Sequence, residues 1–293
     1  MNTFTIKDLE TLSGIKAHTI RIWEQRYSFL KPQRTGTNIR YYSNHELKTV
    51  LNIALLNKFG FKISHIDKMN EDELQNKLVA LSQADVYQEK LVNELIHQMI
   101  GLEMDSFEGA LDNFILSKGI DKTISQIIFP FLNRIGILWL TNNIHPVQEH
   151  LVTNIIRQKL VVGIEKLHIH IKVPRLVVLF LPEGEHHELG LLYAHYLLKK
   201  SGVSVLYLGA NVPLEDIEYL CRLKKPDYLY THLTCLTANF SFSKFIAGKN
   251  LLLPDMPLVI SGQVAQSQAK KTVSPKVFLK RSLTEVNEFI AGL

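Results

Sequence analysis

Two places in this 293-residue sequence carry side chains whose types and spacing could do chemistry. The first is the stretch LPEGEHHELG, residues 181–190, where His186 and His187 stand side by side between Glu185 and Glu188. Imidazole binds transition metals and exchanges protons near neutral pH. A carboxylate close by can hold one ring nitrogen and make the other a better ligand. On residue types alone this is a metal site, a catalytic base, a cofactor ligand or a polar loop with no task. The second place is Trp139, followed after nine intervening residues by Glu149 and His150. An indole near the end of one helix and a Glu-His pair one turn into the next could meet over a ligand below the hairpin. The same spacing also reads as a core tryptophan and a surface histidine.

The elements that must position these residues follow from hydrophobic period. From Pro174 onward the runs RLVVLFL, VSVLYLG, DYLYTHLT, PLVISG and KVFLK are short and apolar, as in buried parallel strands. Helical stretches separate them: ELGLLYAHYLLKKSG, LEDIEYLCRLKK, NFSFSKFIAGKNLL and the closing SLTEVNEFIAGL. Strands alternating with helices predict a doubly wound α/β domain, flavodoxin-like or Rossmann-like, over residues 173–293. In such sheets ligands bind beyond the carboxyl ends of the strands, and residues 181–190 lie just after the first strand. Before it, residues 82–168 predict a four-helix bundle with apolar positions repeating at three and four. Gly101, Gly119 and the asparagines at 142 and 143 separate its helices, and Pro130 should kink or restart the third.

Charge singles out the other end. Residues 1–62 hold ten basic and four acidic side chains, a net of +6; the remainder holds 23 and 24, a net of −1. Concentrated positive charge suits a polyanion partner. Within it, FTIKDLETLSG predicts a helix over residues 6–12 ended by Gly14, and KAHTIRIWEQRY a second helix after a short turn. The second helix carries Lys16, His18, Thr19, Arg21, Arg26 and Tyr27, groups suited to major-groove edges and phosphates. Pro32 should stop it. Gly36 and Asn38 permit a tight turn, which places Arg34, Arg40 and Tyr41 on a β-wing. Ser43 should cap the next helix, while Trp23 and Tyr42 are expected to pack inside.

The segments TIRIWEQRY, LKPQRT and NIRYYS closely resemble the MerR family of winged-helix regulators over about 70 residues. The resemblance implies dimeric binding to double-stranded promoter DNA by a winged helix spanning residues 1–75. It assigns phosphate contact to Arg40 and recognition-helix roles to Thr19, Arg21 and Arg26. EHHELG in turn resembles the E/D-x-H-x-x-G signature of cobalamin-binding domains, through Glu185, His187 and Gly190. The spacing of Trp139, Glu149 and His150 resembles the light-sensing B12 regulators of the CarH/LitR group, whose domain order covers this whole chain.

That resemblance implies adenosylcobalamin as cofactor. His187 would be the lower axial cobalt ligand, backed by Glu185. Trp139 and Glu149 would enclose the adenosyl group, and His150 would take the upper axial position after photolysis. The nucleotide tail would enter among small residues. The family's S-x-L signature is replaced, either by Thr231, His232 and Leu233 or by Thr234, Cys235 and Leu236. Its Gly-Gly pair reads Ser261 and Gly262. The implied function is a repressor whose dimer or tetramer state follows light and cofactor. The alternative is a B12-independent MerR-type regulator whose C-terminal domain binds a protein or another small ligand.

An enzyme is not expected. A corrinoid mutase or methyltransferase needs a further barrel of about 250 residues, for which no segment is free, and HExxH is absent. No window approaches the roughly 18 apolar residues of a membrane span. Two cysteines without a CxxC make no disulfide framework, so a cytoplasmic chain with no membrane partner is the expectation.

Overall fold

The computed structural model describes residues 4–36, 38–58, 60–70, 73, 74, 77, 84–140, 144–169, 171–234, 240–267 and 276–293; of residues 58, 84–86 and 137–140 it describes the backbone only. These gather into two compact units, Met1–Ile156 and Arg157–Leu293.

The first unit opens with α1 (Ile6–Ser13), started by a capping box in which Thr5 and Asp8 satisfy each other's backbone N–H, and ended by Gly14 at φ 72°. Helix α2 (Ala17–Arg26) stops at Tyr27, which turns extended and stacks on Phe29 at 5.6 Å. Pro32 therefore does not end this helix; packing of Tyr27 and Phe29 around Trp23 ends it five residues earlier. The wing follows as two short antiparallel strands, β1 (Gln33–Arg34) and β2 (Arg40–Tyr41), with Arg34 opposite Arg40. Asn38 takes φ 64° in the turn between them, a conformation asparagine tolerates. Ser43 and Glu46 form a second capping box at the start of α3 (Asn44–Lys58), and α4 (Ile63–Ile66) completes the head.

Four helical stretches follow, as the periodicity predicts: α5 (Ala84–Gly101), α6 (Met104–Lys118), a third composite helix and α9 (Pro146–Glu165). Gly119 marks a break, but after α5 the left-handed residue is Leu102 rather than Gly101. The third helix runs through α7 (Ile120–Thr123), a π turn over Ile124–Ile128 and α8 (Phe129–Leu140). Pro130 has no N–H to give the carbonyl four residues back, and its ring would crowd that carbonyl. The helix widens in the turn just before it, where the Phe129 N–H reaches Ile124 O. Phe107 and Phe131 meet at 5.3 Å in the bundle core.

The second unit takes over within α9. Its sheet comprises β3 (Val173–Pro182), β4 (Val203–Val212), β5 (Tyr228–His232), β6 (Leu258–Ser261) and β7 (Val277–Leu279), all parallel in the order β4-β3-β5-β6-β7. This is the flavodoxin-like order, with its switch point between β3 and β5. The crossovers are α10 (Leu189–Lys200), α11 (Leu214–Lys224) and α12 (Phe242–Leu252), then the short α13 (Gln263–Ser267) and finally α14 (Leu283–Ala291). Ile217 and Cys221 of α11 and Phe245 and Ile246 of α12 cover one face of the sheet with Val178, Phe180, Leu229 and Ile260. Tyr228 and Tyr230 point to the other face, against Phe289 of α14. Both faces are covered, which is why these strands read as apolar runs instead of alternating ones.

Candidate functional site

The loop after β3 is organised by one carboxylate. Glu185 is 1% exposed. Its Oε1 accepts the backbone N–H groups of His186 and His187, both at 2.9 Å, and lies 2.6 Å from His187 Nδ1. Burial works to raise the Glu185 carboxyl, but the His187 and His186 hydrogen bonds outweigh it and hold the group below its usual range. A carboxylate on Nδ1 places the ring proton there and makes Nε2 the lone-pair nitrogen. Glu185 Oε2 is buried with no hydrogen-bond partner among the described residues. The imidazole of His187 is about half exposed, and His186 is exposed.

Gly190 lies in the first turn of α10, and the reason for glycine is a ring. A Cβ there would stand 2.2 Å from Cδ2 and 2.3 Å from Nε2 of His232. At Gly262, whose φ is 93°, a Cβ would stand 2.4 Å from Leu233 O and 3.1 Å from His232 Nε2. The His232 imidazole thus lies between the two glycines, at the end of the middle strand. Its Nδ1 is 2.9 Å from Ser261 Oγ, which accepts from the Tyr230 hydroxyl at 2.7 Å. Ser261 then donates to Nδ1, and the proton of a neutral His232 sits on Nε2. Burial pushes this imidazole down to about 4, against the opposing pull of Glu185. The expectation of only small residues here is overturned, because alternation along β5 turns His232 toward the site. Thr231 is buried in the strand and Leu233 in the core, while Thr234 is half-buried at the loop's start; Cys235 and Leu236 lie outside the described residues.

Sequence reasoning also misses the surroundings of Glu188. Its carboxylate meets Arg157 Nη2 of α9 at 2.5 Å and accepts from the Tyr207 hydroxyl of β4 at 3.1 Å. Burial, then the Glu188 charge, raises the Tyr207 hydroxyl above its usual range. Glu188 thus ties its loop to Arg157 within the second unit; Glu149 and His150 belong to the first. Those two lie in the first turn of α9, with His150 Nδ1 3.2 Å from Glu149 Oε2 and the His150 ring largely exposed. The side chain of Trp139 lies outside the described residues.

In the head, Lys16, His18, Arg21, Arg26, Arg34 and Asn38 are exposed, and Thr19, Tyr27, Arg40 and Tyr41 are half-buried. Lys16 pairs with Glu10 at 3.2 Å, Arg34 with Asn38 at 2.7 Å, and the Tyr41 hydroxyl with Gln33 at 2.6 Å. Tyr27 packs toward the Trp23 cluster as well as outward. The residue that joins α2 to the wing is Glu24, not singled out by composition. It bonds Arg40 Nε at 3.0 Å and also takes the hydroxyl of the fully buried Tyr42, so α2 and the wing share one carboxylate.

Residues 4–73 match the MerR HTH family regulatory protein model, and residues 91–162 match the B12 binding domain model. The HTH-type transcriptional repressor CarA of Myxococcus xanthus is 27% identical over 275 residues, covering 93% of this chain and 91% of CarA. The repressor CarH of the same organism is 25% identical over 272 residues, covering 90% of each. A corrinoid protein for monomethylamine from Methanosarcina barkeri matches in fold with a TM-score of 0.57, at 13% identity, over 70% of this chain and 100% of its own. Both relatives are HTH-type transcriptional repressors. Among the described residues no three His, Cys, Asp or Glu side chains group to hold a metal ion, and no helix is long and apolar enough to cross a membrane. The chain carries a MerR-type helix-turn-helix domain fused to a B12-binding domain and is a transcriptional regulator homologous to the CarA and CarH repressors.

Proposed function

We propose that this regulator represses transcription from double-stranded promoter DNA under the control of adenosylcobalamin and light, through a change between dimer and tetramer. The observation that carries the reading is the Glu185–His187 pair at the switch point of the sheet. A buried carboxylate fixes Nδ1 and presents Nε2, as an axial cobalt ligand requires. Gly190, Ser261, Gly262 and Thr234 line the same edge and would receive the rest of the corrinoid. When bound, adenosylcobalamin would supply a cobalt–carbon bond that light can break. Trp139, Glu149 and His150 are proposed to serve the same ligand, as the family resemblance implies. Linked heads multiply effective DNA affinity without new contacts, so loss of the oligomer alone would release the operator.

The test is retention of corrinoid absorbance after the chain is mixed with adenosylcobalamin in the dark and desalted. Retention is expected, and His187→Ala should weaken it at least about tenfold. No retained corrinoid would sink the cofactor reading. For the head, Arg40→Ala should weaken binding to all DNA sequences alike and lower the salt slope of log K by about 1, the mark of one lost phosphate contact. An unchanged slope would remove Arg40 from the phosphate set. One observation favours the B12-independent reading: the His232 ring lies where the nucleotide tail would run. That reading wins if desalting leaves no corrinoid while DNA binding is the same in light and dark.

A further inference from the structure

We infer that His232 is a plug that makes this site discriminate between corrinoids with and without a nucleotide tail. The inference rests on the corrinoid reading above and adds a residue to it.

Three observations place the plug. His232 ends β5, the middle strand, so it sits between the loop after β3 and the residues that end β6. Its ring fills the space that Gly190 and Gly262 leave by lacking a Cβ, at separations no side chain could share. It is latched rather than loose, because Ser261 Oγ holds Nδ1 at 2.9 Å and is itself held by Tyr230 at 2.7 Å. A ligand group entering between the glycines and the imidazole cannot occupy the same volume. Entry therefore requires His232 to rotate out and give up the Ser261 bond. His232 stands at the strand's end and is not fully buried, which leaves its side chain a way out. Corrinoids without the tail coordinate through His187 alone and leave the plug in place.

The consequence is a lowered apparent affinity for tailed corrinoids only. If the open arrangement is populated a tenth of the time, the apparent dissociation constant rises about tenfold. The test compares adenosylcobalamin with adenosylcobinamide, which lacks the nucleotide. Both are titrated in the dark by absorbance into the full chain, its His232→Ala variant and its His232→Phe variant. His232→Ala should bind adenosylcobalamin about tenfold tighter and faster, with adenosylcobinamide changed less than twofold. His232→Phe keeps a ring between the glycines, so it should bind adenosylcobalamin no better than the parent chain. Circular dichroism on each variant confirms that the sheet is folded. An alanine variant that binds both corrinoids as the parent does overturns the plug and leaves the cofactor reading intact. So does one that binds adenosylcobalamin more weakly, which would make His232 a contact. If neither corrinoid binds to any of the three chains, the cofactor reading itself fails, and the plug with it.

Discussion

Gly262→Ala is expected to lower the melting temperature of the sheet-bearing unit by about 10 °C, a loss of about 3 kcal/mol. Part of the cost is conformational, since φ 93° lies where an L side chain is strained. The rest is steric and cannot be relieved by a rotamer change. The new Cβ would stand 2.4 Å from Leu233 O and 2.9 Å from its carbonyl carbon, both backbone atoms. Leu233 is fixed on both sides, its N–H donating to Ser261 O at 2.9 Å and its carbonyl accepting from Val264 at 3.2 Å. Relief would have to part β5 from β6 at the centre of the sheet. Gly190→Ala makes the instructive contrast. Its clash distance is shorter, 2.2 Å, yet the atom it meets belongs to the His232 ring, which can turn away. Gly190→Ala should therefore cost under half as much, and His232→Ala should rescue it. Equal melting losses in the two glycine variants would refute this assignment of causes.

That contrast also marks what the sequence discloses. The five strands are legible because both faces of a parallel sheet are buried, so each strand is an apolar run with polar punctuation. The observed β3, β5, β6 and β7 differ from those runs by only a few residues. Glu185 and His187 are legible because both partners lie in one loop, two residues apart. The head is legible through its dense local pattern, down to the cap that Ser43 makes. What stays hidden depends on partners far apart in the chain. Ser261 meets Tyr230 across 31 residues, and Glu188 meets Arg157 of α9 and Tyr207 of β4. Glu24 joins Arg40 and Tyr42 across a turn whose geometry no period reports. The end of α2 escapes for a different, local reason: Tyr27 leaves the helix to stack on Phe29, while the more conspicuous Pro32 plays no part. His232 is visible as a residue, but its direction depends on the register of β5 against β6.

Acidification from pH 7 to pH 5 is expected to destabilise the same unit by about 4 kcal/mol, through two histidines held neutral. Burial lowers His232 to about 4, with the Glu185 charge opposing. Burial, then the Lys199 charge, lowers His195 to about 4, where its ring stacks on Tyr207 at 5.2 Å. In the unfolded chain both return to about 6.5. Between those values the unfolded state binds more protons than the folded one, so stability rises with pH across the window. The contribution is whole above about 6.5 and drains away as pH falls toward 4, reaching about 2 kcal/mol lost per histidine at pH 5. Glu185 acts in the same direction but lower: its stabilising contribution is whole above the ordinary carboxylate range and is lost as pH falls through that range toward its depressed folded value. Hydrogen exchange of the β5 and β6 amides, corrected for the intrinsic effect of pH, measures this directly. His195→Phe keeps the stack on Tyr207 and cannot take a proton, so it should halve the pH dependence. The same slope in that variant would place the acid sensitivity elsewhere. If the slope halves, the remaining half belongs to His232, and protonating it in the folded state must disturb its bond to Ser261. The plug and that half of the acid sensitivity would then be two properties of one imidazole, neutral and latched at pH 7 and increasingly costly to keep neutral below 6.5.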